Sequence, residues 1–421
     1  MVSKLLSSLE VRLEGQASKR GLIPRMPGGE LLLADTATWL TAEYPEEVRS
    51  SRQRTLPSGD AELHVDLHPA APDLFLTATD GGVVRVHGET VQGGPGYHRF
   101  VGRVLERIGR ELSIDWDEAS AGVAFAERPE VEQAYLAWLG PTLNQVRIAR
   151  QRLSAGFQIG TPPGTRYAFE GAIATVLGPR DDTWLESAVA DPRVAIEVTP
   201  WWSDATDSQY LLNRALALMW LQVRWRKPAV DGEAELLEEV HRLLSKAYPI
   251  DPDLPYPWHA WAEVVAFSGI EDGMARQVNA RNLLEAPVAP VGYRRDPVTV
   301  SHEGWALEIP GEYAERRTDE EWWGGGAGRS ITLAATDTGD MSAQAFLAQV
   351  GGDLGREALT HQEGPVVGRA RITSDDSSGV AVGVLDGFSA VNGSGAAIRI
   401  VFDDPEDWQW ALDLWRSLAP G

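Results

Sequence analysis

The sequence predicts an α+β protein in two parts. Residues 1–290 read as a mixed α/β region leading into a helical bundle, and residues 296–421 as an acidic antiparallel sheet with helices packed on it. Three observations predict this. Short apolar–polar alternations bounded by turn residues fill 61–88 and again 298–402, as antiparallel strands do. Helical periodicity marks 100–112, 129–148 and 205–268. The segment Ala286-Pro287-Val288-Ala289-Pro290-Val291-Gly292 is Pro-rich, and the charge changes across it. Residues 296–421 carry eight Arg, no Lys and 21 acidic residues, a net of −13, against −10 for the 295 residues before them. A charge break at a Pro-rich segment marks a domain boundary.

Taken in order, residues 1–60 are broken by Gly, Pro and Arg, and Leu31–Leu40 is their one apolar segment. Leu63 to His68 alternates, Leu74–Ala78 is apolar, Asp80-Gly81-Gly82 turns, and Val83–His87 follows, which predicts an antiparallel meander. Gly93-Gly94-Pro95-Gly96 opens an amphipathic helix carrying Phe100, Val101, Val104, Leu105, Ile108 and Leu112. A second helix starts near Pro129, and Gly140-Pro141 should kink or split it. Residues 156–200 mix short strands with a short helix near Trp184–Val189. Tyr210–Trp225 is apolar almost all round, as a buried helix is. Two more helices follow, around Leu236–Leu244 and Pro255–Phe267; their junction resembles that of tetratricopeptide helices, but no second copy occurs at a 34-residue period.

In the C-terminal part, Val298–Val300 and Trp305–Ile309 flank His302-Glu303-Gly304 as a hairpin. Ser330–Ala335 is a strand, and Ser342 caps a short helix. Val366–Thr373, Val380–Phe388 and Ala396–Phe402 are three more strands. Asp404-Pro405 starts a closing helix whose buried face holds Trp408, Ala411, Leu412, Trp415 and Leu418. This element order, with the segment Trp305-Ala306-Leu307-Glu308-Ile309-Pro310-Gly311, resembles the PsbP-like α/β sandwich over about 120 residues. The resemblance implies a non-catalytic module that docks other proteins, and it carries no catalytic residues across.

Composition narrows the function. The net charge of −23 opposes binding to nucleic acid or an anionic membrane, which need a positive footprint. It leaves a protein partner, best a basic one. Of 38 basic residues, 34 are Arg, a bias that fits a GC-rich bacterial genome. With no Cys there is no disulfide, thiolate zinc site or Cys nucleophile, which fits a reducing cytoplasm. The start resembles a weak signal peptide, but Glu10, Arg12 and Glu14 interrupt its apolar run. No stretch reaches the ~18 uncharged apolar residues of a membrane span. The oligomeric state is not specified.

Four features could carry chemistry or binding. His64, Asp66 and His68 stand at i, i+2 and i+4, one face of a strand, and are ligand types of zinc and iron sites; His87 and His98 are close in sequence. The bland reading is the polar face of an amphipathic strand. Gly93–Gly96 before a helix could cradle a phosphate or simply make a tight turn. Asp115, Asp117 and Glu118 around Trp116 could form an acid/base pair or the solvated end of a helix. Trp201-Trp202 and Trp322-Trp323 are adjacent pairs at loop edges, so one ring of each should face solvent or a partner, and Gly324–Gly328 would let the second pair move. No Gly-x-Ser-x-Gly elbow, P-loop or His-Glu-x-x-His occurs. Two functions follow. One is a cytoplasmic bacterial immunity, adaptor or regulatory protein that binds a partner through acidic surface and Trp201, Trp202, Trp322 and Trp323, with no cofactor. The alternative is a metal-dependent enzyme on His64, Asp66 and His68.

Overall fold

The protein is α+β. The structure, a computed structural model, describes residues 9–17, 28–117, 124–152, 156–167, 171–286, 288–318, 320–351, 354–355, 358–375 and 382–421. It divides into two compact units. The first holds Met1–Pro163, Phe169–Val223 and Glu235–Gly292; the second holds Gly164–Ala168, Arg224–Ala234 and Tyr293–Gly421.

The first unit opens with β1 (Glu10–Ala17), α1 (Gly29–Glu43), β2 (Ser50–Thr55), β3 (Ala61–Asp66), β4 (Leu74–Ala78), β5 (Val83–Glu89), α2 (Pro95–Glu111) and β6 (Ile114–Trp116). The strands form one antiparallel sheet in the order β2-β3-β4-β5-β1-β6. Their alternation buries Val11, Leu13, Leu63, Val65, Leu74, Leu76, Val84 and Val86 in one core with Leu33 and Leu40 of α1 and Phe100, Val104 and Leu105 of α2. Pro95 takes the first position of α2, and Gly94 enters it at φ 93°, open to glycine alone among common residues. A Cβ on Gly96 would lie 2.0 Å from Ser203 O, so glycine lets this helix start against the 201–203 segment.

Next come α3 (Arg128–Arg150), β7 (Phe157–Ile159), β8 (Thr165–Tyr167), which belongs to the second unit, β9 (Ile173–Thr175) and α4 (Asp182–Ala190). Gly140-Pro141 does not split the helix: α3 runs unbroken, with Pro141 inside it. Val131, Tyr135, Trp138, Leu139 and Leu143 pack on both sides of the proline, and this burial outweighs the lost hydrogen bond. Then α5 (Ser208–Leu221), α6 (Glu233–Ala247), α7 (Trp258–Ser268) and α8 (Gly273–Asn282) follow. Asp181, Asp207 and Asp272 cap α4, α5 and α8 by accepting from backbone N–H groups of the first turn. In α5, Leu212, Ala215, Leu218 and Met219 are fully buried, as its all-round apolarity requires.

In the second unit, β10 (Val298–His302) and β11 (Trp305–Ile309) form the expected hairpin, turned by Glu303 and Gly304, both at positive φ. With β8 they belong to a four-stranded sheet. A seven-stranded antiparallel sheet follows: β12 (Ala314–Arg317), β13 (Glu321–Gly326), β14 (Arg329–Asp337), β15 (Leu359–Glu363), β16 (Val366–Asp375), β17 (Val382–Val391) and β18 (Ser394–Phe402), in the order β12-β13-β14-β18-β17-β16-β15. Two helices, α9 (Ala343–Val350) and α10 (Trp408–Ser417), cover it, and β19 (Ala419–Pro420) closes the smaller sheet. Phe346 and Leu347 of α9 pack on Phe388 and Ala390, whereas Trp415 of α10 lies on Gly387. Strand parity therefore puts the helices on opposite faces.

The expected closing helix is corrected at its start. Pro405–Asp407 forms a 3₁₀ turn, and α10 begins only at Trp408. Trp408 is 49% exposed, while Ala411, Leu412, Leu414 and Trp415 are buried. The ring lies at the helix's first position.

Candidate functional site

The three candidate metal ligands do not share a face. β3 ends at Asp66, so its alternation stops before His68. His64 Nε2 is 2.7 Å from Glu62 Oε1, and its ring packs edge-on against Phe75. Asp66 accepts from Arg49 at 2.9 Å. His68 lies in the core beside Tyr97, Trp201 and Tyr210, where burial first, then the charges of Arg214 and Arg49, push its pKa well below the usual range. Ala70 N–H donates to its Nδ1, so the neutral ring carries its proton on Nε2. Phe75 stands between His64 and His87, and His98 is buried on α2 against Thr90. Among the described residues no group of three or more His, Asp or Glu could hold a metal ion.

The glycine turn is committed to backbone pairing. Gly93, Gly94 and Gly96 donate their N–H groups to Thr90, Val91 and Trp201 carbonyls. Asp115 lies on the edge strand β6, rather than at a helix end, and Asp117 follows it; Glu118 lies outside the described residues.

Each tryptophan pair splits into a core ring and a half-buried one. Trp201 and Trp322 are fully buried, and Trp202 and Trp323 are intermediate. Trp201 and Trp322 are thus core rings and not exposed anchors. Trp322-Trp323 is not at a loop edge: it lies inside β13. A Cβ at Gly324 would be 2.3 Å from the Trp322 ring, and one at Gly325 would be 2.8 Å from the Trp323 ring. The glycines seat the rings of i−2 neighbours on the same face and are part of the ladder, not a hinge. Arg316 lies 5.6 Å over Trp323.

Two other places combine aromatic rings with acidic groups. In the second unit, exposed Trp408 follows exposed Asp403, Asp404 and Glu406. Asp407 is held by Arg329 at 2.5 and 2.7 Å, and the guanidinium keeps its carboxyl below the usual range. Arg329 also lies 4.6 Å over the half-buried Trp410. The corner is thus rigid beneath and open above. The run Asp403-Asp404-Pro405-Glu406-Asp407 was the signal for it: a charged turn leaves the next ring beside water.

In the first unit, a cleft of about 400 Å³ opens where the chain passes from a 3₁₀ turn over Pro192–Val198 into α5. Trp201, Trp202 and Tyr210 supply its rings; Glu197, Asp207 and Asn213 supply polar groups. Trp201 is fixed by its Nε1 donating to Ala205 O at 3.1 Å and by Tyr210, 4.0 Å between ring centres. Trp202 stands edge-on to Tyr135. Of the residues that line it, Trp201 and Trp202 were singled out in the sequence as a pair; Asp207, the cap of α5, was not.

Two buried charge clusters complete the inventory. In the first unit, Arg214 bridges Glu239 at 3.1 Å and the Tyr210 hydroxyl at 3.0 Å. In the second, Arg224 and Arg294 share Glu315 at 3.2 and 2.5 Å, and Trp322 Nε1 donates to it at 3.0 Å. Burial raises the Glu315 pKa, but the two arginines overcome it and hold it low; burial and Arg294 push Arg224 down to about 10.

No known family profile matches the chain, and no curated protein matches it. Among solved structures, it is similar to a 1.50 Å crystal structure from Bacteroides thetaiotaomicron VPI-5482, at 7% identity and a TM-score of 0.25. The match covers 28% of this chain and 45% of that one.

Proposed function

We propose that the chain is a non-catalytic interaction protein that captures a basic protein partner at the Trp408 corner. The observation that carries this is a large aromatic ring, 49% exposed, set directly after three exposed carboxylates, Asp403, Asp404 and Glu406. Tryptophan is the residue type most often found as an interface anchor. Surrounding carboxylates speed the approach of a cationic surface and penalise an acidic one. The net charge of −13 on residues 296–421 extends that field beyond the corner. Immunity, adaptor and regulatory roles all use this chemistry.

The test is affinity capture from the native host, identification of the partner, and binding measurements with variants. Trp408→Ala should weaken the identified complex by at least about tenfold, the scale of an anchor residue. Asp403→Asn with Asp404→Asn and Glu406→Gln should slow association and flatten its salt dependence. Wild-type affinity and association rate in both variants would reject the proposal.

A further inference from the structure

We propose that the cleft beside Trp202 is a binding site for an alkylammonium or alkylguanidinium group. It lies within the first unit and is independent of the Trp408 corner. Its volume of about 400 Å³ suits a small ligand or one long side chain. No Lys, Arg or His is among the described residues that line it, so it offers no cationic side chain to an anion.

The polar groups of the wall favour a cation. Its amides are tied to the wall and to each other: Gln209 Nε2 donates to Asn213 Oδ1 at 2.8 Å, and Asn213 Nδ2 to Pro200 O at 3.2 Å. Glu197 is offset by Arg180, whose Nε donates to Oε1 at 3.0 Å. Asp207 has no such counter-charge. Its Oδ1 accepts from Tyr210 N–H at 2.9 Å, and its Oδ2 has no partner among the described residues. A carboxylate with no cationic side chain beside it, next to the half-buried Trp202 ring, matches a single positive charge on an alkyl stem. The charge would meet Asp207, and the stem would lie on Ile196, Pro200 and Trp202.

The source of such a group is a free amine or guanidine, or an Arg or Lys side chain of another protein. Calorimetric and Trp-fluorescence titrations with butylguanidinium, butylammonium and the blocked peptide acetyl-Gly-Arg-Gly-amide separate these; butyramide and butyrate are the neutral and anionic comparisons. Saturable one-site binding is expected for at least one cationic probe and for neither comparison. A stronger response to the peptide assigns the site to a protein side chain, and a stronger response to the free cations assigns it to a small molecule.

Asn caps helices as well as Asp, so Asp207→Asn removes the charge and keeps the start of α5. It should weaken binding at least tenfold with unchanged thermal unfolding. Trp202→Ala should weaken it too, and Trp408→Ala, in the other unit, should leave it unaltered. Binding of butyramide as tight as that of the cations, unchanged affinity in folded Asp207→Asn, or no saturation by any cationic probe would overturn the proposal.

Discussion

Individual side chains here are governed by what surrounds them more than by their type. His68 shows this. It is neutral and buried in the fold, but in the unfolded chain it protonates near pH 6.5. Its folded pKa is depressed, so the unfolded state binds the extra proton as pH falls. Its neutral form then costs about 1.4 kcal/mol of stability per pH unit below about 6.5. Urea midpoints should therefore fall between pH 7.5 and pH 5.5, and His68→Gln should remove that share of the slope. An identical slope in the variant would show that His68 takes up its proton in the fold. The tryptophans of α10 make the same point. Trp415→Ala should cost about 3–5 kcal/mol, because the ring is buried between helix and sheet. Trp408→Ala should stay within about 0.5 kcal/mol, as surface changes do. Equal losses in chemical unfolding would place Trp408 in the core.

At the scale of elements, seating matters as much as propensity. Gly368 and Gly387 lie on neighbouring strands β16 and β17, and a Cβ on either would stand 2.8 or 2.7 Å from the Trp415 ring. Glycine weakens a strand by itself, yet here the two form the seat that lets α10 approach. Gly387→Ala is expected to cost about 1–3 kcal/mol by overpacking, although alanine is the better strand residue. A second substitution, Trp415→Phe, should recover part of that loss in a double-mutant cycle, and strictly additive effects would argue against contact. The alternation of β3, β4 and β5 and the stripe of α2 were legible because one face of each is buried. Strands β12, β13 and β15 were not: Glu, Arg, Trp and Gly fill them, and sheet pairing alone makes them strands.

For the molecule as a whole, Glu315 joins parts of the second unit distant in sequence. Arg224 comes from the 224–234 segment, Arg294 precedes β10, and Trp322 lies on β13. Replacing Glu315 with Gln would leave two buried guanidinium groups around a neutral amide, which should cost about 3–5 kcal/mol. Its folded pKa is depressed, so its contribution is full above the unfolded value of about 4.3 and is lost as pH falls through the folded one. Wild type and Glu315→Gln should thus differ strongly in unfolding at pH 7, and the difference should shrink as pH falls below about 4.3. A constant difference across that range would mean that the carboxylate does not act through its charge.

The sequence by itself determined the α+β class, the order of its long helices and the C-terminal strand meander. Periodicity and turn chemistry are local, and the chain carries both in full. Only the tertiary structure decided which tryptophans are core, because adjacent residues alternate and each ring's fate depends on the glycine or helix across from it. It also decided that His68 leaves the strand's polar face, since β3 ends two residues earlier. The cleft beside Trp202 was beyond reach for the same reason. Its carboxylate, rings and amides come from a 3₁₀ turn, a loop and a helix, and no periodicity couples them until the chain folds them around one space.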